Sequence, residues 1–117
     1  MRIVRVINKN HGTVVAEHAE LADTFVTRLR GLLGRRGLNE GCGLVLRPGN
    51  SIHSFFMAFP FDAIFVDDDG RVLHLMHAMR PNRVSPIVRH AHSIIELPVG
   101  AIERSGTVLG DLLEIAS

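Results

Sequence analysis

The chain of 117 residues is 46% hydrophobic and 21% charged, with one cysteine, no tryptophan or tyrosine, and a formal net charge of +1. That size and balance suit one globular domain, residues 1–117, and exclude a disordered or fibrous chain. The near-neutral charge argues against a dedicated nucleic-acid binder, and the lone Cys42 excludes an internal disulfide.

Ile3 to Ile7 is mostly β-branched and reads as a strand. Asn8-Lys9-Asn10-His11-Gly12 follows as a hairpin connection, with Thr13 to Ala16 as the return strand. Arg5 breaks the first apolar run, so no secretion signal is read there and a cytoplasmic protein is expected. From Thr24 to Leu33 the period changes: Phe25, Leu29, Leu32 and Leu33 recur at helical spacing. This predicts one main helix with those residues on one face, Asp23 as its N-cap, and Gly34 and Gly37 as terminators.

Gly43 to Leu46, Ile52 to Met57, Phe61 to Val66 and Arg71 to Met76 read as four strands, with Asp67-Asp68-Asp69-Gly70 as a tight turn between the last two. Arg80 to Ala91 contains Pro81 and Pro86 and reads as a surface loop. His92 to Leu97 returns to strand. Pro98 to Gly106 is a loop or single helical turn, and Val108 to Ile115 supplies a last turn and a closing strand. The expected fold is mainly β (α+β), a small antiparallel sandwich or barrel of seven to eight strands with one main α-helix. The most apolar stretch, Ile52 to Val66, holds His53, Pro60 and Asp62 and is too short to span a bilayer, so no membrane association is expected.

Read as a strand, Ile52 to Met57 is apolar on both faces, with His53, Phe55 and Met57 on one and Ile52, Ser54 and Phe56 on the other. Such a strand should be central and covered on both sides. A His and an Asp flanking it would be partly desolvated, which shifts proton affinities and marks sites. The plainer reading has His53 bonded within the core and Asp62 tying up the Phe59-Pro60 turn.

His90 and His92 would share a strand face, and a metal there would need a third ligand such as Glu96 or His53. Surface histidines beside a proline-rich loop are the simpler account, and no metal and no cofactor is expected. Cys42, between two glycines, lacks a hydrolase signature and reads as a small hydrophobe. The three consecutive aspartates lack the alternating ligands of a calcium loop. Twelve of the thirteen basic residues are Arg, and Arg28/Arg30, Arg35/Arg36 and Arg80/Arg83/Arg89 form three groups. They could make an anion-attracting rim, or be solvated and paired with Glu40, Glu96 and Glu103.

In order along the chain, Arg28-x-x-Gly31-Leu32-Leu33-Gly34-Arg35, Ile52-His53-Ser54-Phe55-Phe56-Met57, Asp62-Ala63-Ile64-Phe65-Val66, Glu96-Leu97 and Gly110-Asp111 resemble the domain of unknown function 192 family. The resemblance runs from Asp23 to Ile115. It implies a small, mostly β domain with one helix and no established activity. Its motif positions fall here on Arg28, Gly31, His53, Met57, Asp62, Glu96 and Asp111. The chain departs from the pattern at Ala58 and Phe59, where members commonly carry a basic and then a polar residue. The leader that many members carry is not visible in it.

Residues and resemblance together predict that Arg28, His53, Met57, Asp62 and Glu96 converge beside an apolar core as a ligand-binding set. The leading expectation is a non-catalytic module for a small polar or anionic ligand or a protein partner. The rival is a small hydrolase or lyase with His53 as base, Asp62 orienting it and Arg28 holding an anionic substrate. A nucleic-acid accessory role is a third reading, with strongly salt-dependent affinity. Arg28 could instead form a structural salt bridge with Asp62 or Glu96.

Overall fold

The computed structural model describes residues 2–55 and 57–117. Among them, β1 (Ile3–Asn8), β2 (Thr13–Ala22), β3 (Cys42–Leu46), β4 (Phe61–Val66), β5 (Val72–Met79), β6 (Ser93–Leu97) and β7 (Leu113–Ala116) form one sheet in the order β5-β4-β6-β3-β2-β1-β7. The sheet curls into an open half-barrel, and its two edge strands approach at one corner through a single bridge, Arg71 to Leu112. This corrects the closed sandwich or barrel. It also corrects the all-antiparallel expectation, because β2 and β3 pair in parallel while the other neighbours are antiparallel.

The parallel pair explains the largest departure from the sequence reading. Two parallel neighbours need a crossover rather than a tight turn. Residues 23–41 supply it, and they carry α1 (Phe25–Arg30). This helix has six residues, not ten, and buries none of them. Phe25, Val26 and Leu29 stand exposed, and only Leu32, past the helix end, is inserted into the core. Thr24 rather than Asp23 is the N-cap, its hydroxyl accepting from the Thr27 N–H in a reciprocal capping box. Gly31, with φ +49°, ends the helix. A second short helix, α2 (Ala101–Ser105), occupies the stretch expected to be a loop or one helical turn.

Every residue of β4 and β6 is buried, so these are the strands covered on both faces. Alternation divides their side chains between two cores. Ile64, Val66, Ile95 and Leu97 join Val45, Leu21 and the α2 residues Ala101 and Ile102 on the inner face. Phe61, Ala63, Phe65 and Ile94 join Leu44, Leu46 and Leu32 on the outer face, beneath the crossover.

The doubly covered strand expected at Ile52 to Met57 is not a strand. That segment lies in the β3–β4 connection and makes one isolated bridge, His53 to Val84, with the β5–β6 connection. Phe56 lies outside the described residues. The two connections are zipped together by Ser85 N–H to the Ile52 carbonyl, Ser54 N–H to the Arg83 carbonyl and Val88 N–H to the Asn50 carbonyl, each at 2.8 Å. Buried Ser54 fastens the junction: its hydroxyl donates to the Arg80 carbonyl at 2.5 Å and accepts from the Arg83 N–H at 2.8 Å. No helix among the described residues is long and apolar enough to cross a membrane.

Candidate functional site

The crossover and the zipped connection stand on either side of the outer face and leave a hollow of about 240 Å³ between them. The sheet supplies its floor, with Leu46 of β3 and Ile94 and Glu96 of β6. Leu29, Leu32 and Leu33 wall one side, and Ile52 and His53 the other. Arg28 and Arg30 also border it. Three of the five expected site residues, Arg28, His53 and Glu96, are therefore brought together from segments far apart in sequence.

Glu96 is the unusual member. It is only 4% exposed, and its carboxyl takes part in none of the hydrogen bonds or ion pairs found among the described residues. Burial drives its pKa up to about 8, against a weaker pull downward from Arg35. At neutral pH the group is therefore mostly an uncharged acid, with one O–H to donate. Arg35 does not neutralise it by contact, because its guanidinium is engaged by Glu20 of β2. Register explains the neighbourhood: Glu20 and Glu96 both flank Leu44, one through the β2–β3 pair and one through β3–β6.

Arg28 is half-buried and reaches across to donate to the Arg47 carbonyl at 3.3 Å. It makes no ion pair among the described residues with either Asp62 or Glu96, so the alternative of a structural salt bridge does not hold there. His53 is exposed at the rim, not bonded within the core. Its ring stacks on Phe55 at 5.4 Å, and Nδ1 accepts from the Phe55 N–H at 3.3 Å.

Asp62 and Met57 lie elsewhere. Asp62 shares its side of β4 with Ile64 and Val66, so it points to the inner face while Glu96 points to the outer one. One oxygen accepts from Ala78 N–H at 2.8 Å; the other accepts from Gly100 and Ile102 N–H at 3.1 Å. It thereby caps α2 from a distance and holds Ala78 at a positive φ of 50°. The catalytic alternative needed Asp62 to orient His53. The sheet separates them, and the hydrogen bonds of both are directed elsewhere. Met57 packs against the outer core and does not border the hollow.

The remaining candidates also resolve. Cys42 opens β3 opposite His18. His90, at φ 69°, and His92 sit before β6 rather than within a strand, and they line a shallow depression with Asp67 and Asp68. The Asp67, Asp68 and Asp69 carboxylates lie within 4.8 Å of one another in the β4–β5 turn. Asp67 also closes that turn by accepting from the Asp69 and Arg71 N–H groups.

Asp111 belongs to a separate buried cluster. Its Oδ2 accepts from Asn8 Nδ2 and Val108 N–H at 3.0 Å, with His11 Nε2 at 3.1 Å. Burial alone would raise this carboxyl, but the bonds from Asn8 and Val108 and the nearby His11 outweigh it and hold the pKa below the ordinary value.

Sequence reasoning passed over Ser54 as a fastener, although a lone hydroxyl within an apolar run was the available signal. Nor did it find Leu46, Ile52 and Ile94 as floor and wall, because apolar residues lining a hollow read the same as core.

The profile of the domain of unknown function 192 family (DUF192, uncharacterized ACR) matches residues 6–115. The chain belongs to this family. Among its relatives, a UPF0127 protein of Thermococcus gammatolerans is 38% identical over 112 residues, covering 92% of this chain and 72% of that one. A UPF0127 protein of Pyrococcus furiosus is 31% identical, covering 93% and 96%. Among solved structures, a protein of unknown function from Novosphingobium aromaticivorans superposes with a TM-score of 0.81 at 25% identity, covering 96% of this chain and 83% of that one. A candidate transcription regulator of Sinorhizobium meliloti gives 0.82 at 25% identity, covering 97% and 92%. In this DUF192 chain the motif positions divide between two tasks. Asp62 and Asp111 hold the fold, Arg28, His53 and Glu96 border the hollow, and Gly31 does both, ending α1 at the hollow's edge.

Proposed function

We propose that this DUF192 chain is a non-catalytic binding module whose hollow, between the α1 crossover and the β3–β6 face, receives a small polar or anionic ligand. One observation carries the reading: a nearly fully buried carboxyl, Glu96, borders an open space without a partner among the described residues. The Glu96 oxygens are not sealed off but face the hollow, where the carboxyl has an O–H to place and Arg28 has N–H donors beyond the one given to Arg47. A ligand that accepts the Glu96 proton and pairs with Arg28 meets both demands. Binding is favoured over hydrolysis because His53 has no orienting carboxylate among the described residues.

The neighbour named as a candidate transcription regulator does not make nucleic acid the better ligand here. A net charge of +1 and the lack of Trp and Tyr leave little for phosphate tracking or base stacking.

The test is an amide NMR titration of wild type and Arg28→Gln with phosphates, carboxylates, amides, amino acids and sugars. At least one compound should move resonances of Gly31, Leu46, Gly49 and Glu96 in wild type and move them much less in the variant. A panel that leaves those resonances unmoved would overturn the reading.

A further inference from the structure

We propose that the ligand of this hollow is a small aliphatic monocarboxylate, its carboxylate between Arg28 and Glu96 and its hydrocarbon against Leu46, Ile52 and Ile94. The inference rests on the binding reading above and names the chemical class.

The polar groups set the head. Arg28 offers a guanidinium with five N–H donors, of which one is directed at the Arg47 carbonyl. Glu96, kept protonated by its burial, adds an O–H donor. A head meeting donors on both sides must be rich in acceptors. A carboxylate has about four lone-pair sites, enough for a forked arginine contact and a short O–H···O bond together. A monoanion also sets less negative charge beside the buried Glu96 carboxyl than a phosphate dianion would, whether Arg28 alone or Arg28 and Arg30 meet it.

The apolar lining sets the body. Leu46, Ile52 and Ile94 lie against the same space as Glu96, with Leu29, Leu32 and Leu33 opposite. A wholly polar ligand would leave that surface in contact with trapped water, and a hydrocarbon gains about 25 cal/mol for each Å² it covers. The hollow, about 240 Å³ and partly open to solvent, has room for a small acid with a short branched hydrocarbon.

The test titrates wild type, Arg28→Gln and Glu96→Met at pH 6.5 with 4-methylpentanoate, its primary amide 4-methylpentanamide, and inorganic phosphate, read by amide NMR at the hollow. Glu96→Met replaces a buried acid that has no partner among the described residues by an apolar chain of similar length; thermal melts confirm folding of both variants. The acid should bind wild type at least ten-fold more tightly than the amide or phosphate, and each variant should weaken it at least ten-fold. Amide or phosphate binding as tight as the acid overturns the class and leaves the hollow standing as a site. If none of the three moves a hollow resonance, the class falls, and the broader panel decides whether the site falls with it.

Discussion

Replacing Glu96 by Gln should stabilise the protein, and by an amount that depends on pH. The carboxyl has a pKa of 4.5 in the unfolded chain and about 8 in the fold, because burial penalises its charged form. Between those values the folded state holds a proton that the unfolded state has lost. Stability therefore falls as pH rises through this window and levels off above it. Integrated over the shift, the loss is about 3 kcal/mol at pH 7 and about 5 kcal/mol at pH 9. Gln keeps the shape and a donor but cannot ionise, so it escapes the loss. Urea denaturation of both proteins at pH 5, 7 and 9 gives the comparison. The stability gap should be within about 1 kcal/mol at pH 5 and open to about 3 kcal/mol at pH 7, a difference in Tm of roughly 10 °C. A change of hydrogen bonding in the variant would add a constant offset, so the slope with pH is the quantity that decides. A gap independent of pH, or a Gln variant that grows relatively less stable as pH rises, would show that Glu96 is charged and paired, and the account of the hollow would fail with it.

Four further outcomes follow from the same contacts. Asp62→Ala removes the acceptor of three backbone N–H groups and should cost about 3–5 kcal/mol by chemical denaturation, with hydrogen exchange rising first at Ala78 and Ile102. Asp111 has a depressed pKa, so its stabilisation is present above the ordinary carboxyl value and is lost as pH falls through the folded one. Asp111→Asn should destabilise by about 1–3 kcal/mol at pH 7 and by progressively less in acid. Gly70→Ala should be severe, because Gly70 has φ +93° and an added Cβ would stand 2.1 Å from the Leu113 carbonyl oxygen; loss of a cooperative thermal transition above 37 °C would confirm it. Leu32→Ala, at the crossover's buried anchor, should cost about 2–5 kcal/mol and increase exchange across residues 25–35, while Phe25→Ala should change stability by less than about 0.5 kcal/mol.

The strands were legible where one physical rule acted alone. β1, β4, β6 and the β4–β5 hairpin follow from β-branched or apolar runs bounded by turn residues; β1, β4 and β6 lie within a residue of their expected places, and β5 runs three residues past its expected end. The misreadings have a common cause. Phe25, Leu29, Leu32 and Leu33 satisfy a helical period, but a period reports only that a face is apolar, not that anything covers it. The parallel β2–β3 pair required a crossover there, and its apolar attachment to the sheet is Leu32, with Leu38 beside it, rather than the stripe of α1. Ile52 to Met57 has the composition of a buried strand, yet the strand between β4 and β3 is β6, and this segment is left to zip against the other connection. Pairing of distant segments is a tertiary fact, and no local pattern in either loop contains it.

The site was half legible for the same reason. A list of polar residues does not say which face of a sheet each one takes, and strand alternation assigns that only once register is known. Asp62 and Glu96 lie one step apart across the β4–β6 ladder, where Glu96 faces Ala63 and not Asp62. That offset sends one carboxyl inward, where it holds α2 and the bulged end of β5. It sends the other outward, beneath the crossover and without a partner among the described residues. A one-residue shift of β6 would exchange the two faces and bury Glu96 among the α2 contacts. Pairing β4 with β6 therefore decides which acid supports the fold and which one is left available to a ligand.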